Sequence, residues 1–174
     1  MALDYTGRAG IATSIGHAPV SALIDPKKGS NTAIAEALTN IVWAPLENGL
    51  TSVSLSANWM WPCNNPGEDA RLHAAVEECS AFARALGINI PTGKDALSMK
   101  QKYPDGVVLG PGTVIISAVG HCKAIAKVVT PIATASGGDV YYIDFSKDKF
   151  RLGGSTFAQS LDRIGNETPP VLDP

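Results

Sequence analysis

The sequence is short of charge, of aromatic rings and of cysteine, and each shortage excludes something. Charged residues make up 17% of the 174 and aromatic residues 6%. Lys+Arg total 14 against 16 for Asp+Glu, a net charge of -2, and Lys27-Lys28 is the only adjacent basic pair. A nucleic-acid footprint requires a basic patch or stripe, so no nucleic-acid partner is expected. The cysteines Cys63, Cys79 and Cys122 are odd in number and lack C-x-x-C spacing. That argues against a disulfide framework and a zinc knuckle, and suits a reducing cytosol, so the expected compartment is cytoplasmic. The opening MALDYTGRAG has no apolar h-region, so it is not a signal peptide. The longest apolar runs, around Val114-Ile115-Ile116, are far too short to span a bilayer. His17, His73 and His121 form no HExxH or paired spacing, and no Ser/His/Asp or Cys/His arrangement marks a nucleophile. No catalytic residue is nominated.

What remains is 45% hydrophobic, with 17 glycines and 12 prolines dispersed along the sequence. Residues 1–30 read as loop with one strand near Ile11–Ile15. Ile34, Leu38, Ile41 and Val42 form an apolar stripe that predicts a helix over Thr32–Leu46. In TSVSLSA (51–57), Val53, Leu55 and Ala57 alternate with serines, as in a half-buried strand. A long helix follows over Gly67–Leu86, with Leu72, Ala75, Val76, Cys79, Phe82, Ala83 and Leu86 on its apolar side. Glu68 and Asp69 lie in its first turn, where the helix dipole favours anions, and Gly87 suits the left-handed residue after it. Ile88–Ile90 is a short strand, PTGKD (91–95) a loop, YPDG (103–106) a turn and Thr113–Val119 a buried strand. Val140–Phe145 reads as a strand that leads through KDKFRLGGS into a helix at Ser155–Ile164. The pattern is α/β: one domain over 1–122, and over 123–174 the opening of a second too short to bury its own core.

Four stretches carry candidate chemistry. In AIAEALTN (33–40), Glu36 and Asn40 stack one helical turn apart, opposite the apolar stripe and flanked by alanines. No other charge occurs from Asn31 to Leu46, so this helix is expected to be covered on both faces, and a buried Glu36 would need a partner. Two oxygen donors at that spacing suit a hard cation such as magnesium; the plainer reading is an exposed glutamate beside an asparagine. In LSANWMWPCNNPGED (55–69), Asn58 follows an alternating strand, where open α/β sheets place ligands. Trp59 and Trp61 are then either walls for that ligand or plugs in the core. PTGKDALS (91–98) fails the Walker A spacing, with Asp95 where Ser or Thr belongs. Gly93 still frees the backbone, Lys94 offers a cation to phosphate and Asp95 a metal oxygen; an ordinary turn is the alternative. In LGGSTFAQSL (152–161), two glycines and Ser155 open a helix, as an anion cradle or merely a capped turn.

IGHAPVSALIDP, AIAEALTNIVWAPL, SVSLSANWMWP, NPGEDARL, INIPTGKDALSM and PGTVIISAVG stand in this order across the sequence. Together they resemble phosphoribosylformylglycinamidine synthase of the long, single-chain type. The resemblance implies a cut-out of an ATP-dependent ligase of purine biosynthesis that converts formylglycinamide ribonucleotide to its amidine with ammonia from glutamine. It implies the second of the parent's two aminoimidazole-ribonucleotide-synthetase-like units, with an N-type domain, lacking its first segment, over 1–122 and the start of its C-type domain over 123–174. The implied fold is a mixed sheet with helices on one face, pairing into a barrel with a sister domain. By the same resemblance Glu36 and Asn40 are magnesium ligands, with Asp95 beside the metal and Gly93, Lys94 and Asn58 around an ATP or ADP. Ala96 departs from the family's GKDS, so a hydroxyl contact is lost there. Implied partners are the sister domain and a glutaminase domain of the same parent protein, and none of the three cysteines takes the glutaminase nucleophile's role. The chain alone is expected to be inactive and to self-associate. Two readings stay open: part of a working amidoligase site, or a structural half in which a trapped nucleotide and sheet pairing scaffold the enzyme.

Overall fold

Alternating burial along three strands builds a four-stranded sheet with one covered face. In the computed structural model, which describes residues 1–147, 151–164 and 167–174, β1 is Gly10–His17, β2 Glu47–Leu50, β3 Val53–Met60 and β4 Asn89–Ala96. β5 is Lys100–Tyr103, β6 Gly106–Leu109 and β7 Thr113–Cys122. The helices are α1 Pro19–Ile24, α2 Pro26–Ile41, α3 Glu68–Ala85 and α4 Thr156–Ser160. The sheet order is β1-β7-β3-β4, with β7 antiparallel to both neighbours and β3 parallel to β4. β1, β3 and β4 therefore run the same way, and the sheet is mixed. Val53, Leu55, Ala57 and Trp59 of β3, with Val114, Ile116 and Ala118 of β7, point to one face and form the core with α2 and α3. No helix among the described residues is long and apolar enough to cross a membrane.

α2 starts earlier and stops sooner than its apolar stripe predicts. Asp25 caps it, accepting from the N–H groups of Lys27 and Lys28, and Pro26 occupies the first turn. The helix ends at Ile41; Pro45, four residues on, has no N–H to give the Ile41 carbonyl and its ring would clash with it. α1 is a helix where only loop is expected, with Pro19 opening it. Gly29 lets α2 approach α1, since a Cβ there would sit 2.5 Å from Ala22 Cα. Arg71 of α3 closes the carboxyl end of α1 by donating from Nη2 to the carbonyls of Ala22 (2.8 Å) and Leu23 (3.2 Å).

Several expectations hold. Gly87 follows α3 with φ of 69°, Cys79 is in the core, and YPDG closes the hairpin β5–β6. Others are corrected. PTGKD is strand rather than loop: Thr92, Gly93, Lys94 and Asp95 pair with Ser56, Ala57, Asn58 and Trp59 of β3. β3 offers a free edge whose backbone groups need partners, and that overrides the local turn signal. Val140–Phe145 forms no strand; among the described residues nearby, only an isolated bridge joins Ser146 to Leu172. Part of the connection after it, residues 148–150, lies outside the described residues. The helix expected at Ser155–Ile164 keeps its Ser155 cap, whose hydroxyl accepts from Ala158 N–H, but ends at Ser160. Asp162 takes a left-handed φ of 55° and stops it. Among the described residues, those beyond Cys122 add nothing to the sheet; Lys28 Nζ donates to Thr168 Oγ1, and Leu172 packs at the rim of the core.

Candidate nucleotide and cation site

Register brings the candidate residues to one end of the sheet. His17 pairs with Ile115, Ile115 with Asn58, and Asn58 with Lys94, so one row crosses all four strands near the carboxyl ends of β1, β3 and β4. Open sheets bind ligands beyond those ends. Members of a row share a face; this row points away from the helices, because Trp59 and Val114 beside it point toward them.

Glu36 and Asn40 stand at one end of this row, on α2 where it passes the outer edge of β1. Both are exposed, contrary to the expectation of a helix covered on both faces. The covered side is that of Ala33 and Ala37, which lie flat against β1: a Cβ on Gly16 would meet Ala33 O at 1.9 Å, and Ser14 Oγ donates to Ala37 O at 2.5 Å. Glu36 Oε2 accepts from the backbone N–H of His17 at 2.7 Å. Asn40 Nδ2 donates to the Ile15 carbonyl at 3.1 Å. As a donor set the pair fits a hard divalent ion. Two oxygens leave room for the waters and phosphates that magnesium keeps; among the described residues no group of three or more His, Cys, Asp or Glu that could hold a metal ion occurs, so the pair has no further such side chain beside it.

Asn58 and Lys94 lie further along the row, on β3 and the far edge strand β4; Gly93 precedes Lys94 but is in register with Ala57, on the helix side. Asn58 is half-buried, and its Oδ1 has no hydrogen-bond partner among the described residues. Gly93 is required by packing: a Cβ there would be 2.2 Å from Ala57 O. Lys94 is exposed on the face of Asn58. Trp59 and Trp61 are core plugs and not ligand walls. Trp61 is 0% exposed, and the two rings tilt at 50° with centroids 6.4 Å apart.

Asp95 is not brought to Glu36. It belongs to the opposite edge strand, three spacings or about 14 Å across the sheet, and it is in register with Trp59, on the helix side. Its neighbourhood is Cys63, whose thiol is pushed up by burial and then by the carboxylates of Asp69, Glu68 and Asp95. The backbone groups of Ile15 and His17, which hold the Asn40 and Glu36 side chains, were invisible to sequence reasoning. Backbone atoms leave no residue signature.

The family model described as the FGAR-AT PurM_N-like domain matches residues 1–121. The chain belongs to that family. It is 42% identical over 175 residues to human "Phosphoribosylformylglycinamidine synthase", covering 99% of this chain and 13% of the relative. It is 40% identical to the Arabidopsis thaliana "Probable phosphoribosylformylglycinamidine synthase, chloroplastic/mitochondrial", covering 99% of this chain and 12% of the relative. The chain thus spans about an eighth of such proteins. Among solved structures, Thermotoga maritima PurL complexed with ADP superposes with a TM-score of 0.56 at 18% identity, over 75% of this chain and 20% of that one. PurL complexed with ATP gives 0.55 at 18% identity, over 76% and 21%. At that identity the likeness establishes the fold.

Proposed function

We propose that this chain is part of a phosphoribosylformylglycinamidine synthase, with an N-type synthetase-like domain over 1–122 and the start of a C-type domain over 123–174. The parent would be an ATP-dependent ligase of purine biosynthesis that converts formylglycinamide ribonucleotide to its amidine with glutamine-derived ammonia. A glutaminase domain and a sister synthetase-like domain would lie elsewhere in that parent. The 42% identity to the human enzyme over 99% of the residues supports this. The compartment proposed is the cytosol, supported by the three free thiols Cys63, Cys79 and Cys122.

Within the parent, this chain would supply one side of a magnesium–nucleotide site. The observation that carries the proposal is the pairing of Glu36 and Asn40 on α2 beside the carboxyl end of β1. Glu36 and Asn40 would hold the cation; bound there, magnesium would offset phosphate charge. Lys94 would place its ammonium against phosphate oxygens, and Gly93, which packing against Ala57 requires, would keep β4 on the course that carries Lys94 there. Asn58 Oδ1, lacking a partner, would accept from the ligand. Asp95 is left to the Cys63 neighbourhood and given no shared ligand set with Glu36. ADP binding in the presence of Mg²⁺, measured by calorimetry on the parent protein, tests this. Glu36→Gln should weaken it at least tenfold, and unchanged affinity sinks the site.

A second reading gives the nucleotide a structural role, with the sheet pairing to the sister domain. The apolar Ile15, 60% exposed on the open face, and Val119 beside it favour such a surface. Retention of nucleotide without turnover or exchange would support it over a working site.

A further inference from the structure

Edge strands leave a row of backbone groups unpaired, and proteins cover them. On the outer edge of β1, α2 does so with two side chains. His17 N–H donates to Glu36 Oε2 at 2.7 Å, and the Ile15 carbonyl accepts from Asn40 Nδ2 at 3.1 Å. Only the amino end of an amide can donate to a carbonyl, so the second contact decides which way Asn40 is turned and sends Oδ1 away from Ile15. The first commits Oε2 of Glu36 and leaves Oε1. Neither Oε1 nor Oδ1 takes part in these two contacts, and both residues are exposed. The frame is stiff here, because Gly16 and Ser14 bring β1 into direct contact with the backbone of Ala33 and Ala37.

We propose that Ile15 and His17 are positioning residues, whose backbone carbonyl and N–H, respectively, orient Asn40 and Glu36 so that Oδ1 and Oε1 are offered together to a divalent cation. The inference rests on the reading of this pair as cation ligands. Its physical basis is that a metal ligand held by an outer partner has already lost the rotamer freedom that binding would remove, and such partners are typically worth about 10- to 100-fold in metal affinity. It also accounts for an amide at position 40. Aspartate would add charge for the metal, but it has no donor for Ile15 and would set a carboxylate against a carbonyl.

Mn²⁺ serves as the probe, with ADP present, its binding followed by electron paramagnetic resonance in the full-length protein to which these residues belong. If Asn40 were only an oxygen donor, Asn40→Asp would tighten Mn²⁺ binding; the proposal expects a loss of about tenfold or more. His17→Pro deletes the N–H, at an edge position where no ladder bond is lost, together with the imidazole and some backbone freedom, and is expected to weaken binding by about 10- to 100-fold. The conservative His17→Ala restores the N–H and with it the affinity. Thermal unfolding of each variant separates misfolding from loss of ligand orientation, and Asn40→Asp decides the matter if the proline variant does not fold. Binding by Asn40→Asp as tight as wild type overturns the inference, as does full affinity in a folded His17→Pro. If Glu36→Gln leaves Mn²⁺ binding unchanged, the cation reading fails, and the inference with it.

Discussion

Gly16 of β1 rests on the carbonyl of Ala33 in α2 so closely that a methyl group there would lie 1.9 Å from the oxygen and 2.5 Å from the Ala37 nitrogen. The obstructing atoms are backbone and cannot swing aside. Gly16→Ala must therefore lift α2 off β1, and Glu36 and Asn40 with it. Overpacking typically costs about 1–3 kcal/mol, and the upper end is expected here. Denaturant unfolding measures it; a midpoint equal to wild type would mean that the helix and strand are not in contact.

Arg71 joins α3 to the end of α1 through two carbonyls and approaches Glu68 at 3.5 Å. A hydrogen bond from a charged donor is worth about 1.5–3 kcal/mol. Arg71→Met is expected to lower stability by about 2 kcal/mol on that basis. Arg71→Lys should recover only part, because a single ammonium cannot reproduce the guanidinium fork. Equal unfolding curves for wild type and the methionine variant would refute the link.

Cys79 is buried in the core, and burial pushes its thiol up to about 11. An unfolded thiol ionises near 9.0. Below that pH both states hold the proton, and the contribution to stability is constant. Between the two values the unfolded state releases a proton that the folded state keeps, so stability falls as pH rises. The accumulated loss by pH 11 is roughly 3 kcal/mol. Unfolding of wild type against Cys79→Ala across this range checks it, since the alkaline loss should shrink in the variant.

Lys94 and Leu55 should separate binding from folding. Lys94 is exposed at the ligand end of β4, so Lys94→Ala should change stability by no more than about 0.5 kcal/mol while weakening ADP binding. Leu55 is 1% exposed, and Leu55→Ala should cost about 2–5 kcal/mol. An ADP affinity indifferent to Lys94 would remove that residue from the site.

The chain by itself is expected to self-associate through the open sheet face, where Ile15 and Val119 are exposed. Sedimentation equilibrium should give a mass that rises with concentration, and Ile15→Lys should return it to the monomer. A wild-type monomer at every concentration would rule this out.

The amino-acid pattern determined the elements whose signal is side-chain burial. Val53, Leu55 and Ala57 declared β3, and the apolar stripe around Cys79 and Phe82 declared α3, because period-2 and period-3.6 spacing are properties of the sequence alone. Spacing likewise stacked Glu36 over Asn40. Tertiary structure alone decided what depends on distant backbone. The edge of β3 drew Thr92–Asp95 into a strand against its turn signals, and the register of that strand put Asp95 beyond reach of Glu36. Exposed groups of β1 turned Glu36 and Asn40 toward His17 and Ile15. The reason is common to all three: an unpaired backbone N–H or C=O requires a partner, nearly every residue carries both, and only folding determines which ones are left over.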